Sequence, residues 1–299
     1  MKINNRMMIT GLCFGLLTLQ QYAVAAEGDW QLNSNVQALY GNYNGSINRD
    51  SIINAGAMIS ADYLETSGFS LGANYTKLKF NVGSTLNQQA VYGSIHYNAY
   101  FDALPGPLTL RLDGHGINNN DTTGNTDNVS VIASQISFLN YAKTFYADFG
   151  YARSNYQNNL YVDQFTPTLG FGLNDGSDWL QARGYFIKPS NRLRAQNKSN
   201  TSAIELKWTH WLAPDVWLGL EQIQLSGLAG ERIYAVDGDA AAVYNLADIQ
   251  QGSANLSLQW RLSKFMHVML LAGNERYLDN TIGDTYDSRM IYINLSGQW

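Results

Sequence analysis

The chain has 299 residues, 45% of them hydrophobic and only 14% charged, with 19 tyrosines, five prolines and a formal net charge of −5. An acidic balance excludes nucleic acid as a natural partner. Beyond the amino-terminal segment no apolar run is long enough to cross a bilayer as a helix, so any insertion into a membrane must use strands.

In chain order, Lys2 and Arg6 precede an apolar run from residue 7 to 19, and Ala23-Val24-Ala25-Ala26 follows with small residues. This order is that of a secretory signal peptide over 1–26, and the run is too short to span a bilayer. The only cysteine, Cys13, lies inside it after the bulky Leu12, which does not suit a lipoprotein signal. Cleavage after Ala26 would leave 17 Lys and Arg against 24 Asp and Glu, a net charge of −7, and a mature chain without thiols.

The remainder, 27–299, reads as fourteen strands. Side chains alternate between two faces of a strand, and the segments 30–43, 51–64, the one from 69 onward, 88–101 and 108–117 alternate apolar with polar residues. In the second, Ile53, Ala55, Ala57, Ile59 and Ala61 oppose Asn54, Ser60 and Asp62. Further strands are expected at 129–139, 144–156, 161–173, 179–187, 203–211, 216–225, 253–262, 265–277 and 289–299. Each suffices to cross an apolar band about 25 Å tall at a tilt of roughly 40°. The segment 129–139 can be read with either face outward, and Pro167 inside a strand suggests a β-bulge. Loss of two weak segments would reduce the count to twelve.

Short turns at 65–68, 102–107, 140–143, 174–178, 212–215 and 263–264 alternate with longer connections at 118–128, 188–202, 227–252 and 278–287. Short turns on one side and long loops on the other suit a transmembrane barrel with both termini on the short-turn side. Trp30, Trp179, Trp208, Trp211, Trp217, Trp260 and Trp299 all fall at strand ends beside short turns or a terminus. They read as one membrane-interface belt.

The last stretch carries the clearest signal. Ile291, Ile293, Leu295, Gly297 and Trp299 share one face, while Tyr292, Asn294, Ser296 and Gln298 share the other, and the chain stops at an aromatic residue. This stretch resembles the closing strand of Gram-negative outer-membrane β-barrels. The resemblance implies an all-β, single-domain, up-and-down antiparallel barrel in the outer membrane. It also implies lipid and lipopolysaccharide around it and the barrel-assembly machinery as the partner that inserts it.

Candidate chemistry is sparse. Asp113 with His115, and Ser94 with His96, share strand faces, but residues two apart do so by geometry alone, and neither pair has a third catalytic member. Four scattered histidines, His96, His115, His210 and His267, give no metal-ligand spacing, and no cofactor is implied. Charge concentrates on the face opposite the apolar one, at Asp62, Arg111, Asp113, Asp148, Arg183, Glu205, Lys207, Glu221, Arg261 and Glu275. These are the pore-lining candidates. Lys188, Arg192, Arg194 and Lys198 form a cationic loop without acids, able to extend a positive track from Arg183 or to meet lipopolysaccharide phosphates. The apolar Ala240-Ala241-Ala242-Val243 in another loop is expected to pack inside the barrel mouth. The pattern favours a porin-like channel for small hydrophilic solutes. A barrel enzyme acting on lipid or peptide, and a structural or export-partner barrel, are the alternatives.

Overall fold

A computed structural model describes residues 29–299 except 84, 214–216, 239–241 and 245–246. The expected signal peptide and Cys13 lie outside the described residues. The wall consists of β1 (Trp30–Asn44), β2 (Arg49–Tyr63), β3 (Ser67–Phe80), β4 (Leu86–Ala99), β5 (Leu108–Asn119), β6 (Val129–Leu139) and β7 (Phe145–Tyr156). It continues with β8 (Leu160–Leu173), β9 (Asp178–Pro189), β10 (Thr201–Trp211) and β11 (Leu220–Arg232). A small hairpin of β12 (Val236–Asp237) and β13 (Ala242–Val243) stands apart, and β14 (Ile249–Arg261), β15 (Met266–Asp279) and β16 (Asp284–Gln298) complete the wall.

The fourteen wall strands form one closed antiparallel barrel in which each strand pairs with its neighbours in the chain, β11 pairs with β14, and β1 pairs with β16. The last strand closes the ring in the register Val36↔Leu295, Gln37↔Asn294 and Ala38↔Ile293. Trp299 fixes that seam, its amide donating to the Leu32 carbonyl at 3.0 Å and its carbonyl accepting from the Leu32 amide at 2.9 Å. Closure leaves no strand edge unpaired, which is the condition for β-structure in lipid.

Alternation decides what each surface meets. Ile53, Ile59, Leu71, Ile132, Phe165 and Ile291 are exposed on the outside, and an apolar surface of this extent is stable against acyl chains rather than water. The segment 129–139 takes one orientation, with Val129 and Val131 buried inside and Ile132 and Ile136 outside.

Several expectations change. The connection expected at 278–287 is only a turn at 280–283, because β15 and β16 both run further outward than their apolar alternation does. The strand expected at 216–225 begins at Leu220 and runs to Arg232; a 3-10 turn at Trp217–Gly219 belongs to the longer connection 212–219. Pro167 causes no bulge. It stays in register opposite Phe149, while the β8–β9 ladder resumes from Phe165↔Phe186 to Thr168↔Arg183 without a shift. Register shifts occur instead at Arg49/Ser51, Leu220/Gln222, Ala229/Arg232 and Gln250/Gly252.

Candidate functional site: the lumen and its inserted loop

The inner face of β5 to β9 is not polar throughout. At their outer ends Ile117, Val129, Val131, Leu160, Val162 and Ile187 all point inward and are buried. Loop 233–248, which joins β11 to β14, covers them with Ile233, Ala235 and Val236. Each large side chain so buried contributes about 1.5–3 kcal/mol, so the loop belongs to the packed structure of the barrel.

Polar contacts fix its register. The Gln164 side chain acts as a missing strand neighbour, donating to the Val236 carbonyl at 2.6 Å and accepting from its amide at 2.9 Å. Asp237 stands 3.7 Å from the Arg183 guanidinium, which also faces Asp148 at 4.0 Å and donates to Thr168 at 3.0 Å. The Gly238 carbonyl accepts from Arg111 at 2.7 Å, and Arg111 also pairs with Asp113 at 2.8 Å. Arg111 lies six residues below Ile117 on β5, so on a strand tilted by roughly 40° the loop descends about 15 Å along the barrel axis, to the tips of the Arg111 and Asp113 side chains.

The same loop is held across the mouth. Arg232 lies between the Tyr185 and Tyr244 rings, 5.0 and 4.4 Å from their centroids, and donates to Gln250. Asp248 pairs with Arg49 of β2 and accepts from the Tyr286 hydroxyl. Burial pushes the Asp248 carboxyl above the usual carboxylate range, and the Arg49 guanidinium beside it pulls it back.

A second loop, 190–200, lies over the first. The Arg194 guanidinium donates to the carbonyls of Asn125, Gln157 and Asn158, and the Arg194 carbonyl accepts from the Tyr234 hydroxyl at 2.8 Å. The Gln196 side chain binds the turn at 280–283 through the Asn280 amide at 2.6 Å, and Lys198 pairs with Glu231 at 2.6 Å. Arg192 bonds back to the Asn197 carbonyl. The cationic loop is thus a cap held by its own charges, and Lys188 is not part of it, since it lies in β9 and faces outward.

The pore-lining candidates divide accordingly. Asp113, Asp148, Arg183 and Glu275 are buried, the last bonded by the Tyr277 hydroxyl, so no continuous positive track joins Arg183 to Arg192 and Arg194. Glu205, Lys207 and Glu221 remain half-buried towards the other end, and Arg261 is exposed there and pairs with Glu221 at 3.0 Å. Asp62 faces His96 at 3.3 Å at that same end.

All seven tryptophans do lie at one rim, but their roles differ. Trp30, Trp208, Trp260 and Trp299 occupy outward positions. Trp179 turns inward over Gly170, where a Cβ would stand 2.6 Å from the indole. Trp211 shares the inward alternation of β10, and nothing is described for the Trp217 side chain. Trp208 packs against His210, and both bond to the outward Asp178, at 3.0 and 2.8 Å.

Neither histidine pair forms a catalytic set. His115 lies against the Tyr92 ring, with 4.9 Å between centroids, while Asp113 bonds to Arg111. His96 meets Asp62 instead of Ser94. Ser177 reaches the carboxylate of Asp178 at 3.4 Å, not the imidazole of His210, so no base touches a nucleophile there.

Gln164, Arg49 and Arg232 were not singled out from the sequence. The available signal was the two-sided apolar character of 129–139, which marks a strand with lipid on one face and a packed loop on the other.

A closed barrel with an apolar outer belt defines the class: a transmembrane β-barrel of the outer-membrane kind. No protein-family model matches the chain, and no curated protein matches it in sequence. Among solved structures it is similar to a bacterial polysaccharide outer membrane secretin, with a TM-score of 0.53 and 7% identity over 89% of this chain and 98% of the other. It also matches the Acinetobacter baumannii outer membrane protein Omp33 (TM-score 0.46, 10% identity, 90% and 99% coverage) and Salmonella typhi OmpF (0.44, 11%, 91% and 97%). At these identities the likeness is one of fold.

Proposed function

We propose that the protein is a porin-like channel for small hydrophilic solutes, whose passage is controlled by loop 233–248. The observation that supports this is the division of the lumen along its axis. The outer part is filled by the loop on an apolar inner wall, whereas the inner surface from mid-height towards the tryptophan rim keeps half-buried polar side chains such as Gln37, Asn74, Asn294 and Gln259. A barrel of eight strands fills its interior with its own side chains and one of sixteen to eighteen holds open water; at fourteen strands, a single loop can decide between the two.

On this reading outer-leaflet lipopolysaccharide surrounds the barrel, the barrel-assembly machinery inserts it, and it performs no catalysis. Purified protein in planar bilayers should give stepwise currents. Complete silence under all voltages, with folded protein present, would favour the structural or export-partner reading, which the packed outer mouth also fits.

A further inference from the structure

We propose that the solutes accepted by this lumen are uncharged and polyhydroxylated, sugars and polyols by chemical class; this rests on the channel reading above. The two sides of the lumen differ in chemistry. Glu205, Arg183, Thr168 and Asp148 stand opposite one another in turn across β10, β9, β8 and β7. Asp237 of the inserted loop lies on this charged row, and Arg183, Thr168 and Asp148 are buried beneath it.

Across the lumen the wall left half-exposed has no charge over two rows. Asn74, Gly56, Gln37, Asn294, Met269 and Gln259 stand opposite one another in turn across β3, β2, β1, β16, β15 and β14. The next row outward, Thr76, Asn54, Leu39, Tyr292, Leu271 and Ser257, is also free of charge, with its polar groups at Thr76, Asn54 and Tyr292 separated by the two leucines. The groups are mutually oriented. The Tyr292 hydroxyl donates to Gln37 at 2.8 Å and accepts from Asn294 at 3.3 Å, and Asn54 donates to Thr76 at 2.7 Å. Gly56 keeps the row concave, since a Cβ there would lie 3.2 Å from the Gln37 amide nitrogen.

A carboxamide presents two N–H donors and a carbonyl acceptor, and a sugar hydroxyl both donates and accepts, so wall and solute can replace each other's water. From Asn74 to Asn294 an ion passing the same surface loses hydration without gaining a fixed counter-charge; only at Gln259, which donates to Glu221 at 2.8 Å, does a carboxylate stand beside the row. The amide wall therefore favours the neutral solute, while Arg183 is held between Asp148 and Asp237 beneath the loop and Glu221 is paired with Arg261 towards the tryptophan rim.

The test is solute uptake into liposomes carrying the full-length protein, and in parallel a variant with loop 233–248 shortened, using glucose, gluconate and glucosamine as probes of equal carbon number. Glucose should enter about threefold faster than either charged analogue. Replacing Gln37→Glu and Gln259→Glu should transfer the preference to glucosamine. Gln37→Met, which adds no charge, should slow glucose without creating ion preference. Equal rates for the three probes, with ionic currents intact, would overturn this inference and leave the channel in place. Absence of both uptake and current in the parent and the loop-shortened protein would overturn the channel itself, and this inference with it.

Discussion

At the scale of single residues, Gln164 is the most instructive position. It sits in β8 where alternation requires an inward polar side chain, and a sequence reading has no reason to separate it from any other lumenal amide. Its role depends on Val236, 72 residues away, whose amide and carbonyl it satisfies. Replacing it with leucine removes two hydrogen bonds worth about 1 kcal/mol each and leaves two buried backbone groups unpaired. Gln164→Leu should therefore assemble normally, because the wall ladder does not use the side chain, yet show longer or more frequent open events in bilayers. Gating indistinguishable from the parent would mean that this contact does not hold the loop. Arg183 shows the complementary limit. Its inward position was legible from alternation, but not its burial beneath Asp237, because the acid that covers it belongs to a loop with no periodicity to read.

At the scale of elements, the closing strand was the most legible part, since one face must suit lipid and the other water over its whole length. Ile291 and Ile293 are 57% and 47% exposed on the outer wall. An arginine at Ile293 should cost about 2–4 kcal/mol if it lies near the bilayer midplane, falling towards zero near the interfaces. Ile293→Arg combined with deletion of Trp299, which removes the seam bonds to Leu32, should abolish the heat-modifiable band on gels. Persistence of that band in outer-membrane fractions would show that the seam is not needed for assembly. The misplaced elements have a common cause. The strand expected at 216–225 was drawn from apolar content where the chain forms a 3-10 turn, and the long loop expected at 278–287 was drawn from its acids, although Asp279 and Asp284 pair across the β15–β16 ladder. Where strands project beyond the lipid, charged residues no longer mark their ends. Loop 233–248 was legible as a long connection, drawn at 227–252, with an apolar tetrapeptide of which Val243 packs against the buried cluster while Ala240 and Ala241 lie outside the described residues.

At the scale of the molecule, the closed ring of fourteen strands places the connections at 45–48, 81–85, 120–128, 157–159, 190–200, 233–248 and 280–283 at one rim and both ends of the described chain at the other. Epitope tags at Gly124 and Gly283 should accordingly be labelled on intact cells, whereas a tag at Gly68 should be labelled only after the outer membrane is permeabilised. The reverse pattern would invert the barrel and place the inserted loop on the periplasmic side. The strand count and closure followed from alternation and length, which are local properties. The state of the lumen did not, because it depends on which loop folds inward and which charges it neutralises. The most direct measurement of the account is therefore single-channel conductance of the parent compared with a protein in which 234–247 is replaced by a short glycine-serine linker. Removing an insert that reaches about 15 Å into the lumen should raise the unitary conductance severalfold and abolish closures, with the heat-modifiable fold retained. Equal conductance in the two proteins, both correctly folded, would contradict the claim that this loop controls the passage.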